Sequence, residues 1–167
     1  MSKPEEGRWI IENVVTGRYL FPSEKPPAGE ESKYPKCVGA DANYLGRAVW
    51  KIILKDDDTY FIQNEVTNHY LFQTGDKVEP GEPKEGTANA PSTVTADDRN
   101  LKQVTWKFPA GVQGTLLLNV CTGRYVSQTG QQLQGDHGTE EGWANAPKVV
   151  GTDHDYYGFA GWNFVKP

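Results

Sequence analysis

Three aspartates, Asp41, Asp97 and Asp153, recur every 56 residues. Each opens a polar and aromatic stretch: "DANYLGRAVW", "DDRNLKQVTW" and "DHDYYGFAGW". Carboxylates so placed can accept pairs of hydroxyl protons. Asn43, Asn100 and Asp155 add further polar groups, and Tyr44 and Tyr156 add flat apolar faces. A sugar ring needs that mixture, with planar carbon under its C–H face and convergent hydrogen-bonding groups at its edge. The same aspartates serve equally well as caps of their own turns, and a repeated turn would repeat its cap. Trp143 is different, because its column in the other copies holds Glu31 and Thr87. A tryptophan in the small, polar run "EEGWANAP" is a candidate binding platform, with Asn145 and His137 near it in sequence. Packing over the molecule's flank is the alternative. Asn89 holds the column of Asn145 in the second copy.

Other chemistries find less support. His69, His137 and His154 include no pair at zinc-ligand spacing, and neither Cys37 nor Cys121 has a ligand near it in sequence. There is no nucleophile elbow, phosphate-binding loop or dinucleotide fingerprint. Carboxylates are numerous, but no pair is set apart for acid–base work. Asp56–Asp58 reads as a solvated hairpin tip. The expectation is a binding protein and not an enzyme, without cofactor or metal.

The elements that must position these residues are written three times. "NVVTGRYLF", "NEVTNHYLF" and "NVCTGRYVS" begin at Asn13, Asn64 and Asn119. Pro35, Pro91 and Pro147 recur every 56 residues, as do Trp50, Trp106 and Trp162. Such strict phase marks a triplicated unit. All the length variation falls between the "YLF" phrase and the proline, where a surface loop absorbs it at small free-energy cost. Within a unit, "WIIENVV" alternates and is β-branched, which predicts a strand. Gly17, Asn68 and Gly123 suit a left-handed turn, and "RYLF", "HYLF" and "RYVS" predict the returning strand. "KCVG", "STVT" and "KVVG" predict a third strand, and each tryptophan opens a fourth. No helical period is sustained over ten residues.

Three units of four short strands cannot each bury an apolar face alone but can do so around a shared axis. The expected fold is all-β, a β-trefoil: a six-stranded barrel closed by a hairpin cap. A propeller of three blades would be too small to close. One domain is expected over 1–167, with repeats at roughly 7–55, 56–111 and 112–167. The predicted core runs in columns: Ile11, Ile62 and Leu117; Val15, Val66 and Cys121; Val38, Val94 and Val150; Ile52, Phe108 and Phe164; and the three repeated tryptophans. Both cysteines then read as small packing residues.

Composition agrees with a globular chain, at 167 residues with 37% hydrophobic and 23% charged. A net charge of −5 lacks the basic footprint of a nucleic-acid binder and argues against an anionic membrane surface. No run suggests membrane insertion or a signal peptide, so a cytoplasmic location is expected, with release by a non-classical route left open.

The three copies, the tryptophan opening each last strand and the "YL" after the first turn resemble the ricin-B-like and mushroom β-trefoil lectins, a likeness that covers about residues 7 to 167. "TGRYL" is also similar to the fascin-type trefoils. The lectin resemblance implies glycan or glycoprotein partners, and a homodimer is compatible with it. The galactose site of that group is not matched. Phe21, Phe72 and Ser127 stand where an aspartate is expected, and Ala48, Val104 and Ala160 stand where a glutamine should lie two before the tryptophan; Gln103 is one place too early. A trefoil protease inhibitor is the alternative, acting through the proline-rich loops "EKPPAGEESKYPK" and "GDKVEPGEPKEG", with Lys25 or Lys36 as its contact residue.

Overall fold

The computed structural model describes residues 3–15, 17–22, 37–40, 48–73, 91–94, 104–111, 113–121, 123, 125–132, 148–153 and 160–167. They form twelve strands and no α-helix. In chain order the strands are β1 (Gly7–Asn13), β2 (Tyr19–Pro22), β3 (Cys37–Ala40), β4 (Val49–Asp56), β5 (Thr59–Asn64), β6 (Tyr70–Gln73), β7 (Pro91–Val94), β8 (Trp106–Lys107), β9 (Leu118–Asn119), β10 (Tyr125–Gln132), β11 (Lys148–Asp153) and β12 (Trp162–Val165). The period of two is plain in β5, where Tyr60, Ile62 and Asn64 are buried and the residues between them are half-exposed.

Six strands close on themselves. β1 pairs with β4, β4 with β5, β5 with β8 and β8 with β9, all antiparallel. β12 pairs back to β1, and the remaining gap is bridged by Thr115 and Trp162, which exchange two backbone hydrogen bonds of 2.8 and 2.9 Å. Closure removes the free edges that an open sheet would present. The other six strands make three hairpins: β2 with β3, β6 with β7 and β10 with β11. β3 and β11 also pair, through Gly39 with Lys148 and Val38 with Val149, so the hairpins of copies one and three are joined backbone to backbone. Barrel plus hairpin cap is the β-trefoil expected from the sequence.

The repeated asparagine explains how the copies interlock. Asn64 lies opposite Trp50, Asn119 opposite Trp106 and Asn13 opposite Trp162. Each asparagine therefore faces the tryptophan of the copy before it, and the first copy faces the third. The next residue follows the same rule. Glu65 N–H donates to Val49 C=O, Val120 to Thr105 and Val14 to Gly161, over 2.9–3.0 Å. All three asparagines are fully buried. Their Oδ1 atoms accept from the N–H groups of Val15, Val66 and Cys121 at 3.1 Å, and Asn64 also accepts from Thr67. A buried amide thus satisfies backbone donors that the turn would otherwise strand. The turn then closes in the left-handed region, at φ of 71° for Gly17, 61° for Asn68 and 71° for Gly123, as their residue types predict.

Each repeated tryptophan is fully buried and performs one further task. The indole Nε1–H of Trp50 donates to Leu20 C=O at 2.9 Å, that of Trp106 to Leu71 at 3.0 Å and that of Trp162 to Val126 at 3.0 Å. Barrel strand is thereby tied to hairpin strand in every copy, and the buried indole N–H is not left without a partner. Around the tryptophans pack Ile11, Ile62, Leu117, Leu20, Leu71 and Val126, with Ile52 and Phe108, and Phe164 lies partly buried against them.

One predicted layer is wrong. Val15 and Val66 are 50% and 56% exposed, and Cys121 is an exposed free thiol. The first strand of each copy stops at the asparagine, whose side chain accepts from the N–H of Val15, Val66 or Cys121 two residues on and bends the chain outward. Extending the strand alternation two residues further put the turn tip into the core. Cys121 accordingly does not pack as a valine substitute. The side chains of Val38, Val94, Val150 and Cys37 lie outside the described set, so that column and the packing of Cys37 are not addressed. Asp56–Asp58 form an exposed hairpin tip, as expected, with Asp57 at a φ of 29°.

Candidate functional site

Residues for contact with a sugar or a protease are proposed from the sequence above. Most of them lie outside the described residues: Asp41, Asn43, Tyr44, Asp97, Asn100, Trp143, Asn145, Asp155 and Tyr156, together with Lys25, Lys36, Asn89 and His137. Asp153 is described, and its place differs from the expected loop. It is the last residue of β11 and lies directly opposite Tyr125.

That end of the third hairpin is held from two sides. Val126, next to Tyr125, donates its N–H to Leu117 C=O at 3.0 Å and accepts at its own C=O from the Trp162 indole at 3.0 Å. Tyr125 pairs with Leu118 across β9 and with Asp153 across β11. The backbone at Asp153 is therefore one rung from the closed barrel, a fixed strand end. Sites anchored to rigid elements hold their geometry better than sites carried wholly by loops.

The three copies are not equivalent here. Tyr19 lies opposite Ala40, Tyr70 opposite Val94 and Tyr125 opposite Asp153. The proline spacing puts Asp41, Asp97 and Asp153 in one phase, whereas strand pairing puts an acidic residue opposite the tyrosine only in the third copy. The pairing of β10 with β11 shifts between Gln128 and Gln132, an irregularity of the β-bulge type. Sequence spacing counts residues along one strand and is blind to a shift against its neighbour. The asymmetry is the feature that sequence reasoning missed, and the 8-residue length of β10, against 4 for β2 and β6, is its visible trace.

Among the described residues, no three His, Cys, Asp or Glu side chains gather closely enough to hold a metal ion. No helix among them is long and apolar enough to cross a membrane. The ionic feature with the best geometry lies away from the cap. Arg8 Nε and Nη2 donate to the two carboxylate oxygens of Glu65 at 2.6 and 2.9 Å, tying β1 to the turn of the second copy. The Arg8 hydrogen bonds hold the Glu65 carboxyl below its ordinary range, with help from the charge of Lys51.

No family model matches the chain, and no curated protein matches it. Solved structures do. A Caenorhabditis elegans protein of unknown function matches with a TM-score of 0.74 at 14% identity, over 96% of this chain and 94% of that one. The Rhizoctonia solani agglutinin matches with a TM-score of 0.67 at 15% identity, over 100% and 99%. The Polyporus squamosus lectin, solved with the epitope Neu5Acα2-6Galβ1-4GlcNAc, matches with a TM-score of 0.64 at 17% identity over 98% of this chain, which spans 50% of the lectin's length. At such identities the likeness is one of architecture, and the chain is a β-trefoil with the fold of the mushroom lectins.

Proposed function

We propose that the protein is a lectin-type carbohydrate-binding module whose principal site lies at the open end of the third copy's hairpin. The observation that carries this reading is the register at Asp153, which makes the third copy the one with a carboxyl-bearing residue opposite its hairpin tyrosine. From that anchored strand end the sequence runs on through Asp155 and Tyr156, and Trp143 and Asn145 precede the other end of β11 as a further contact region of the proposed site. Acid, amide and aromatic groups together supply edge hydrogen bonds and a stacking face for a pyranose. Asp41, Asn43 and Tyr44 in the first copy, and Asp97 and Asn100 in the second, form weaker counterparts. Partners on this reading are glycans or glycoproteins. Weak single sites gain strength when several engage one branched surface.

A glycan array on the intact chain tests the proposal, followed by titration of the best ligand against Asp153→Ala and Trp143→Ala. Each variant is expected to lose about tenfold or more in affinity, consistent with the loss of one charge-assisted hydrogen bond or one stacking face. A blank array, or two variants that bind like the parent, would refute it.

A further inference from the structure

At the barrel end away from the hairpin cap, four aromatic rings form an arc. Tyr60 lies 5.0 Å from Phe108, Phe108 5.4 Å from Phe164, and Phe164 6.2 Å from Trp9, centroid to centroid. Among the described residues no fifth ring joins Trp9 to Tyr60: β4 lies between their strands and carries Ile52 in the position of Phe108 and Phe164. Trp9 and Tyr60 each stand two residues before the buried aliphatic of their strand, Ile11 or Ile62, and the third copy places Thr115 there, before Leu117.

The segment before β1 spans the interval between the two ends of the arc. Lys3 pairs with Asp58 and sets its ammonium 5.7 Å from the centre of the Tyr60 ring. Pro4 is buried. Glu5 C=O accepts from the Trp9 indole at 2.8 Å. Glu6 Oε1 accepts from Leu54 N–H at 2.6 Å, and Leu54 itself pairs with Tyr60. Four consecutive residues thus each have an anchor or are buried, and Pro4 stands in sequence between the residue that contacts Tyr60 and the one that bonds Trp9. We infer that residues 3–6 are a strap that seals the barrel's open end, completing the aromatic arc where the first copy has Ile52 in place of a ring, with the Lys3–Asp58 pair as its releasable latch.

The latch is built to open locally. Its two charges are exposed, so salt screens them, while the barrel hydrogen bonds beneath are buried. Opening frees the Leu54 amide and uncovers the rings of Trp9 and Tyr60, and it leaves the Thr115–Trp162 seam paired. Release therefore creates an apolar surface without unfolding the trefoil.

Hydrogen exchange in Lys3→Glu and Asp58→Lys, and in the double variant carrying both, tests this directly. Each single variant places like charges at the latch. The Leu54 amide is expected to exchange about tenfold faster in each, with the Trp162 amide, which donates to Thr115 C=O, unchanged within about twofold. Binding of the dye anilinonaphthalene sulfonate should rise in the single variants and return to the parent level in the double variant. Unchanged Leu54 exchange in both single variants overturns the proposal. So does equal acceleration at Leu54 and Trp162, which would mean that the segment is part of the global fold and no separate latch.

Discussion

Among the described residues, Thr115 carries the buried side-chain oxygen without a partner. It is fully buried, its N–H and C=O both bond the backbone of Trp162, and its hydroxyl has no hydrogen-bond partner. A buried hydroxyl without a partner costs free energy that a methyl group of the same shape does not. Thr115→Val should therefore stabilise the protein by about 1 kcal/mol, or roughly 3 °C in melting temperature for a chain of this size. Thermal unfolding measures this, and a clear loss of stability would show that the hydroxyl has a partner after all. The three asparagines teach the opposite lesson. They are polar, fully buried and bonded, and their role was open to inference from the thrice-written phrase, since a polar residue held in strict phase at a strand end is a capping signal. Hydrophobic periodicity has no means to mark it, because it scores an asparagine as surface.

At the scale of elements, the turns were the most legible part of the chain. Gly17, Asn68 and Gly123 were identified from residue type, and all three adopt the left-handed conformation. A Cβ at Gly17 or Gly123 would meet no atom within 4 Å, so substitution there is limited by backbone conformation and not by space. Gly17→Val should cost about 1–2 kcal/mol in denaturant unfolding, whereas Gly17→Asn, the residue the second copy uses natively, should cost under about 1 kcal/mol. Equal penalties for the two would indicate an unseen clash. The valines beyond the asparagine were misplaced because alternation continues into the turn after the strand has ended. The register at Asp153 was not legible either, since it depends on how β10 and β11 shift against each other. Trp143 and the loop aspartates were singled out by type and spacing alone, so their grouping into one site rests on the glycan-binding test.

For the whole molecule, acid sensitivity follows from ionic links unique to one or two copies. Glu65 is held below its ordinary range by Arg8, and Asp58 is held below its own by Lys3. Val14 and Val120 stand where the second copy has Glu65, so the threefold pattern supplies no substitute. A carboxyl whose folded-state value is depressed stabilises the fold above its unfolded-state value and ceases to do so as pH falls through the folded-state one. Stability should thus be level near neutrality and decline below roughly pH 4.5, where ordinary carboxyls begin to protonate. Glu65→Gln should flatten part of that decline in urea midpoints measured between about pH 3 and 6. An unchanged profile would mean that the Arg8–Glu65 link carries no net stability.

The pairing of every asparagine with the tryptophan of the preceding copy fixes the smallest number of units that can satisfy one another. A solitary copy offers one lock and one key that cannot meet within the same segment. Two copies joined head to tail still leave a lock at one end and a key at the other. Three bring the last key round to the first lock, so a peptide encoding a single copy could become self-sufficient only as a cyclic homotrimer.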